Sequence, residues 1–237
     1  VSQSGCKSAY MNCYGIDGCP AGWVALGVAA GEPLQDATLQ CFVAPSIDYL
    51  MEELTRKYSQ PIVVAIDMPI GLPQRSGWRP CDLKARQALG ARRASIFPVP
   101  SRSDLQATDF AQLKGSGLSI QAFNLFKKIR QVDDWMDPER QKFCRETHPE
   151  LVFWRLNQGQ TLESKRTAVG AQQRRELVAA MLPQIAQLQR VSGCRPDDLL
   201  DAAALLLAAR LRQHSQESCA FDSCQVDEQG LSMEICY

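Results

Sequence analysis

Histidine is scarce in this sequence, with only His148 and His214, and none of its ten cysteines is spaced Cys-x-x-Cys. A structural zinc site is therefore not expected. Neither sign of charge predominates, since 26 Lys and Arg face 26 Asp and Glu. That balance argues against a polyanion binder of the basic-tail kind. No apolar run approaches the roughly 18–20 residues of a membrane span; the longest, 202–209, has eight. The N-terminus lacks a charged lead followed by a long apolar stretch, so no signal peptide is expected. Internal repeats and low-complexity segments are missing too. The expectation is a cytoplasmic protein whose cysteines are mostly reduced and semi-buried. Cys219 and Cys224 lie close enough in sequence to pair, but a disulfide is not expected there.

What is present is ordinary globular composition, 45% apolar and 22% charged over 237 residues. This excludes a disordered chain, a fibre and a coiled coil, and a chain of this length buries a core without staples. One stretch departs from the balanced charge. Residues 71–102 carry Arg75, Arg79, Lys84, Arg86, Arg92, Arg93 and Arg102 against a single acid, Asp82.

Strands are expected at 10–17, 23–30 and 39–43, joined by short turns as an antiparallel meander. A helix follows from Ser46 to about Tyr58, with Ile47, Leu50, Met51 and Leu54 on one face. The short β-branched run 62–66 after it reads as a buried parallel strand. Segments 68–80 and 95–103, rich in Gly and Pro, read as loops. Helical patterns occupy 81–89, 104–113, 119–132, 149–156, 167–191 (with a kink at Pro183) and 196–212. Short strands are expected at 143–147 and 231–235. The order is mixed α/β, antiparallel first and parallel after.

Four carboxylate positions call for explanation. Asp201 is the one polar side chain between Leu199 and Ala209. A helix apolar nearly all round is buried, and a carboxylate within it needs a partner or a metal. Asp198 lies three residues earlier, on the same face. The favourable interaction of acids with a helix N-terminus accounts for Asp197 and partly for Asp198, but not for Asp201. Asp67 and Asp17 each end a predicted strand, where functional groups of parallel sheets gather, although an acid there can also cap a turn. Glu146, His148 and Glu150 cluster at a strand–helix junction; a histidine in that setting is more often a structural hydrogen-bonder. Converging carboxylates repel one another unless a hard cation such as Mg²⁺ or Mn²⁺ intervenes. Two such ions ~3.5–4 Å apart activate water and stabilise the leaving oxygen of a phosphodiester. The basic segment would then hold substrate phosphates.

Several stretches together resemble a known family. They are Gly15-Ile16-Asp17-Gly18-Cys19 with Gly22-Trp23-Val24, Ile66-Asp67-Met68-Pro69-Ile70-Gly71-Leu72, and Arg79-Pro80-Cys81-Asp82 with Phe97-Pro98. Glu146-Thr147-His148-Pro149-Glu150, Ser164-Lys165-Arg166-Thr167, Asp197-Asp198-Leu199-Leu200-Asp201-Ala202 and Met233-Glu234-Ile235 complete the set. Over about residues 14–236 the chain is similar to domain-of-unknown-function family 429, a group of predicted nucleases with a ribonuclease H-like fold. Its last helix also resembles that of the Holliday-junction resolvase branch. The resemblance implies a five-stranded mixed sheet, three antiparallel then two parallel strands, with helices on both faces. It implies one domain over 1–237 with a helical and loop insert at about 72–142, which the minimal fold lacks. It implies Asp17, Asp67 and Asp201 as ligands of two divalent ions, Mg²⁺ or Mn²⁺, with Asp198 or Glu146 completing the catalytic set. Lys165, Arg166, Arg79, Arg86 and His148 are the expected substrate contacts. Nucleic acid is the expected partner, and the resolvase relatives make a homodimer conceivable.

Two other functions stay open on the sequence. A non-catalytic module for nucleic acid or protein would keep the acids as buried hydrogen-bond acceptors, and the zero net charge mildly favours it. A nucleotide-binding phosphotransfer enzyme of the actin-like kind would use Gly15-Ile16-Asp17-Gly18 as a phosphate loop, but that architecture needs a second core copy.

Overall fold

The computed structural model describes residues 11–57, 61–188, 190–214 and 220–237. Strands β1 (Asn12–Cys19), β2 (Gly22–Val28) and β3 (Gln40–Ala44) form the antiparallel meander. Helix α1 (Ile47–Lys57) returns the chain to β4 (Ile62–Ile66), which lies parallel to β1. Helices α2 (Pro80–Leu89), α3 (Ile120–Phe123), α4 (Phe126–Trp135) and α5 (Pro138–Gln141) precede β5 (Cys144–Glu146), parallel to β4. Then come α6 (Pro149–Leu156), α7 (Ala168–Met181), α8 (Pro196–His214) and the hairpin β6 (Ala220–Val226) and β7 (Ser232–Cys236). The main sheet has the order β3-β2-β1-β4-β5. Among the described residues, no helix is long and apolar enough to cross a membrane.

Where the pattern and the fold differ, the cause is local. The expected helix at 104–113 is two single 3₁₀ turns, and 119–132 is split between α3 and α4. The long helix from 167 stops at Met181 because Pro183 supplies no backbone donor, and a 3₁₀ turn continues to Gln187. Strand β6 has no clean alternation to read, since a register shift between Asp222 and Val226 and a positive φ of 54° at Cys224 interrupt it. Residues 15–18 are strand, not a phosphate loop; the hairpin turn falls after them, at 20–21. The eight described cysteines are all free, while Cys219 lies outside the described residues.

The two faces of the sheet are sorted by strand alternation. Tyr14, Ile16, Val64 and Ile66 face a core closed by α1, α4 and the chain between β4 and β5. Cys13, Val24, Leu26, Val63 and Ala65 face a core closed by α8. By the same alternation Gly15 and Asp17 of β1, and Asp67 just past β4, point to the α8 side. Gly15 is the closest point. A Cβ there would stand 2.1 Å from both the Ala202 carbonyl oxygen and the Leu206 nitrogen. The helix thus rests on bare backbone, and its alanines Ala202, Ala203 and Ala204 are fully buried. It runs antiparallel to β1, with Gln213 near Cys13 at one end. Its first turns, with Asp198 and Asp201, therefore lie at the C-terminal ends of β1 and β4.

Gly15→Ala should force α8 off the sheet and destabilise the protein by about 1–3 kcal/mol or more. Thermal denaturation measures this, and an unchanged midpoint would contradict the contact.

Candidate active site

A cleft of about 560 Å³ opens at those strand ends. Asp17, Asp67 and Asp201 line it, together with residues from the chain between β4 and β5. Asp17 is 9% exposed, and its Oδ1 accepts the Gly18 N–H at 2.7 Å. Burial holds its carboxyl well above the usual range, and Asp67, Asp201 and Asp198 push it further. Asp67 is held in place by its own N–H, which donates to the Ile16 carbonyl at 3.0 Å. Burial raises it too, with His148 and Lys165 opposing and Glu150 adding to the rise. Burial pushes Asp201 up to about 6, against the pull of Lys165, whose Nζ donates to Asp201 Oδ2 at 2.7 Å. Against the lowering effect of burial, Asp201, Asp17 and Asp67 raise the Lys165 ammonium above its ordinary value. Asp198 is half-buried; it accepts the Arg195 N–H at 2.8 Å and contributes its field rather than a wall.

Glu146 lines the same cleft, but its carboxylate is taken up by an arginine. It is in register with Ile66, and paired residues of neighbouring strands point to one side. Its strand parity is that of Ile66, opposite to Asp67, and it reaches the cleft only as part of the lining that Arg79 and Asp82 share. There it meets Arg79, whose Nη1 donates to Glu146 Oε2 at 2.8 Å and whose Nη2 donates to Asp82 Oδ1 at 2.7 Å. The same guanidinium donates to the Ile70 and Gly71 carbonyls at 3.0 and 3.1 Å, and Glu146 accepts the Ile70 N–H at 2.7 Å. Despite the desolvation of burial, Glu146 and Asp82 hold Arg79 well above its ordinary value. Arg79 is 2% exposed and fully engaged, so the expected phosphate contact does not fit it. The pair instead fixes the loop that follows Asp67.

His148 caps α6. Its Nδ1 accepts the Glu150 N–H at 3.2 Å, so Nε2 carries the proton and donates to the Ser95 carbonyl at 3.2 Å. Arg86 lies outside the cleft lining: its Nη1 donates to the Arg93 and Ile96 carbonyls, and its guanidinium stacks 4.1 Å over Trp78. Glu150 is bound by Arg174 through both oxygens, at 2.9 and 2.7 Å. Arg174 also donates to the Glu163 carbonyl at 2.8 Å. A Cβ on Gly170 would lie 2.2 Å from the Ser164 carbonyl. Together these contacts fold 163–165 back on α7 and aim Lys165 at Asp201. Arg166 lies exposed at the rim of the cleft.

Sequence reasoning missed Lys128 and gave Arg92 no individual role, yet both line the cleft. Lys128 donates to the Cys19 carbonyl at 3.3 Å and to the Gly22 carbonyl, and sits 4.7 Å over the Trp23 ring. The signal was the helical spacing of Gln121, Leu125 and Lys128, which puts all three on one side.

As placed, no three His, Cys, Asp or Glu side chains among the described residues form a group that could hold a metal ion. Lys165 takes the Asp201 oxygen instead. The donor chemistry nonetheless fits a hard cation: three carboxylates share one cleft, and the other two raise the proton affinity of Asp17.

A family model described as "Protein of unknown function (DUF429)" matches residues 15–224. No curated protein matches the sequence. Among solved structures, RuvC of T. thermophilus in complex with a Holliday junction substrate is similar, with 14% identity and a TM-score of 0.37. The match covers 86% of this chain and 96% of that one. The strand order β3-β2-β1-β4-β5, antiparallel first and parallel after, is the five-stranded mixed sheet expected from the sequence.

A carboxyl group with a raised pKa in the folded state contributes stability at pH values below its ordinary pKa and loses it as the pH rises through the folded value. For Asp201 that window runs from 3.8 to about 6. Asp201→Asn should therefore gain stability relative to wild type by roughly 1–3 kcal/mol between pH 4 and pH 7. Chemical denaturation of the metal-free protein at both pH values checks this, and a constant difference would refute it.

Proposed function

The chain belongs to the DUF429 family, and on that premise we propose a divalent-metal-dependent hydrolase of phosphodiester bonds, a nuclease. One observation carries the reading. The other buried and half-buried acids, three of which also line the cleft, have arginines: Glu146 and Asp82 have Arg79, Glu150 has Arg174, and Asp133 and Asp227 have Arg102. Asp17 and Asp67 have no ion-pair partner among the described residues, yet they share the strand-end cleft with Asp201. Unneutralised carboxylates so placed suit a site rather than a scaffold.

Asp17, Asp67 and Asp201 would hold Mg²⁺ or Mn²⁺, two ions in the full reading, with Asp198 reinforcing the negative field. The metal would supply an activated water and stabilise the leaving oxygen. With Asp201 given to a cation, Lys165 would be released to contact substrate phosphate beside Arg166. His148 and Arg86 hold the wall of the cleft, and the Arg79–Glu146 pair holds the loop behind Asp67. The chain at about 72–142 belongs, in this reading, to one domain with the sheet. Nucleic acid is the proposed partner.

A second reading, a binding module without catalysis, is favoured by one observation: the Lys165–Asp201 pair already neutralises one acid at 2.7 Å. Labelled single- and double-stranded oligonucleotides incubated with Mn²⁺ separate the two. Cleavage by wild type should fall at least about 100-fold in Asp201→Asn, a loss of about 3 kcal/mol of transition-state stabilisation, while circular dichroism stays unchanged. Full activity in that variant would overturn the assignment, and oligonucleotide binding without cleavage by wild type would favour the module.

A further inference from the structure

The chain between β4 and β5 gives the cleft a rigid wall. The Ser95 carbonyl is fixed by His148 at 3.2 Å, and the Ile96 carbonyl by Arg86 at 3.1 Å. Val99 and Gly77 exchange both backbone hydrogen bonds, at 2.9 and 2.8 Å. These contacts set Ile96 and Phe97 as an apolar face of the cleft, with Leu125 and Met68 as further apolar lining. At about 560 Å³ the space is of small-ligand size, within the roughly 300–1,000 Å³ of such clefts. A duplex, by contrast, is held on an extended basic surface of about 1,000–2,500 Å².

Arg92 is the unexplained cation here. It lines the cleft from the same wall. Its Nε is buried with no hydrogen-bond partner, and its Nη2 reaches Glu150 only at 3.4 Å, an oxygen that Arg174 already holds. A buried donor left unsatisfied is unfavourable, and a small turn of this part-exposed, loosely held side chain would bring its guanidinium to an anionic oxygen in the cleft. Arg166 at the rim has no ion pair among the described residues.

We propose that the cleft takes a single nucleotide unit, its phosphate on Arg92 and Arg166 and its base against Ile96, Phe97 and Leu125. This rests on the phosphodiester reading and narrows its substrate. The shared chemistry is a nucleoside monophosphate, either free or as the unpaired end of a strand. Paired bases inside a duplex cannot enter a cleft of this size. The acids then face the phosphoester side of the unit, and the apolar wall supplies the discrimination that charge alone lacks.

Calorimetry of the full chain with adenosine monophosphate, inorganic phosphate, a short single strand and a blunt duplex tests this, with Mn²⁺ and again with chelator. The monophosphate should bind at least about 10-fold tighter than inorganic phosphate. Arg92→Gln should weaken it by about 10-fold or more. Phe97→Leu, which keeps the apolar packing, should weaken it by about 5-fold or more, as loss of a base-stacking face does. Binding of the single strand that matches or exceeds the monophosphate would identify a strand end as the source; weaker binding would identify the free nucleotide. Inorganic phosphate binding as well as the monophosphate, a duplex binding better than both, or no effect of Arg92→Gln would each overturn the proposal. Such a failure alongside Mn²⁺-dependent duplex cleavage would leave the phosphodiester reading standing, whereas monophosphate binding in chelator without cleavage of any substrate would leave only the binding proposal.

Discussion

The bare backbone of Gly15 against α8 is the contact on which the site depends. A side chain at that position would meet the Ala202 carbonyl and the Leu206 nitrogen at 2.1 Å. With none there, a helix of alanines and leucines lies directly on the central strand, and the apolar surface it buries drives the packing. Two residues on, at the same strand parity, Asp17 emerges beside the first turns of that helix. Asp201 is buried not because its own helix favours a carboxylate but because the helix cannot lie so close without carrying it in.

That closeness has an electrostatic consequence. Burial raises the energy of the ionised forms of Asp17, Asp67 and Asp201, and neighbouring acids add to it: Asp67 and Asp201 at Asp17, Glu150 at Asp67, and Asp67 and Glu150 at Asp201. Lys165 offsets part of it, by pairing with Asp201 and by opposing the rise at Asp67. The protein spends arginines on its other buried acids. Arg79 binds Glu146 and Asp82 behind the loop after β4, Arg174 binds Glu150 under α6, and Arg102 binds Asp133 and Asp227. These pairs tie the chain between β4 and β5, the helices and the final hairpin into one frame. The contrast between acids that are neutralised and acids that are not separates scaffold from site more sharply than residue type does.

Much of this was legible in the sequence. The element order followed from three short runs, a helix and the β-branched run 62–66, and the five-stranded mixed sheet from the family resemblance. Asp201 stood out because nothing else polar occurs around it. Asp17 and Asp67 stood out as strand-end acids. What was not legible depends on register and on distant partners. Glu146 sits on a strand as expected and lines the cleft, but Arg79, 67 residues away, engages its carboxylate, and no local pattern encodes that partner. The basic stretch 71–102 looked like exposed charge because its counter-ions lie elsewhere in the chain. Glu146, Asp133, Asp227 and Glu150 pair with Arg79, Arg102 and Arg92 across long sequence separations. The stretch thus serves mostly as internal fastening, with Arg92 left partly unsatisfied.

The central claim is that a strand acid and a helix acid form one cation site. Calorimetric titration with Mn²⁺ of wild type, Asp17→Asn, Asp201→Asn and the double variant tests it most directly. The account predicts that each single variant loses most of the binding and that the double loses little more, because both side chains serve one ion. Binding by Asp17→Asn indistinguishable from wild type would contradict it, since the close approach at Gly15 would then have brought the two acids together for no common ligand.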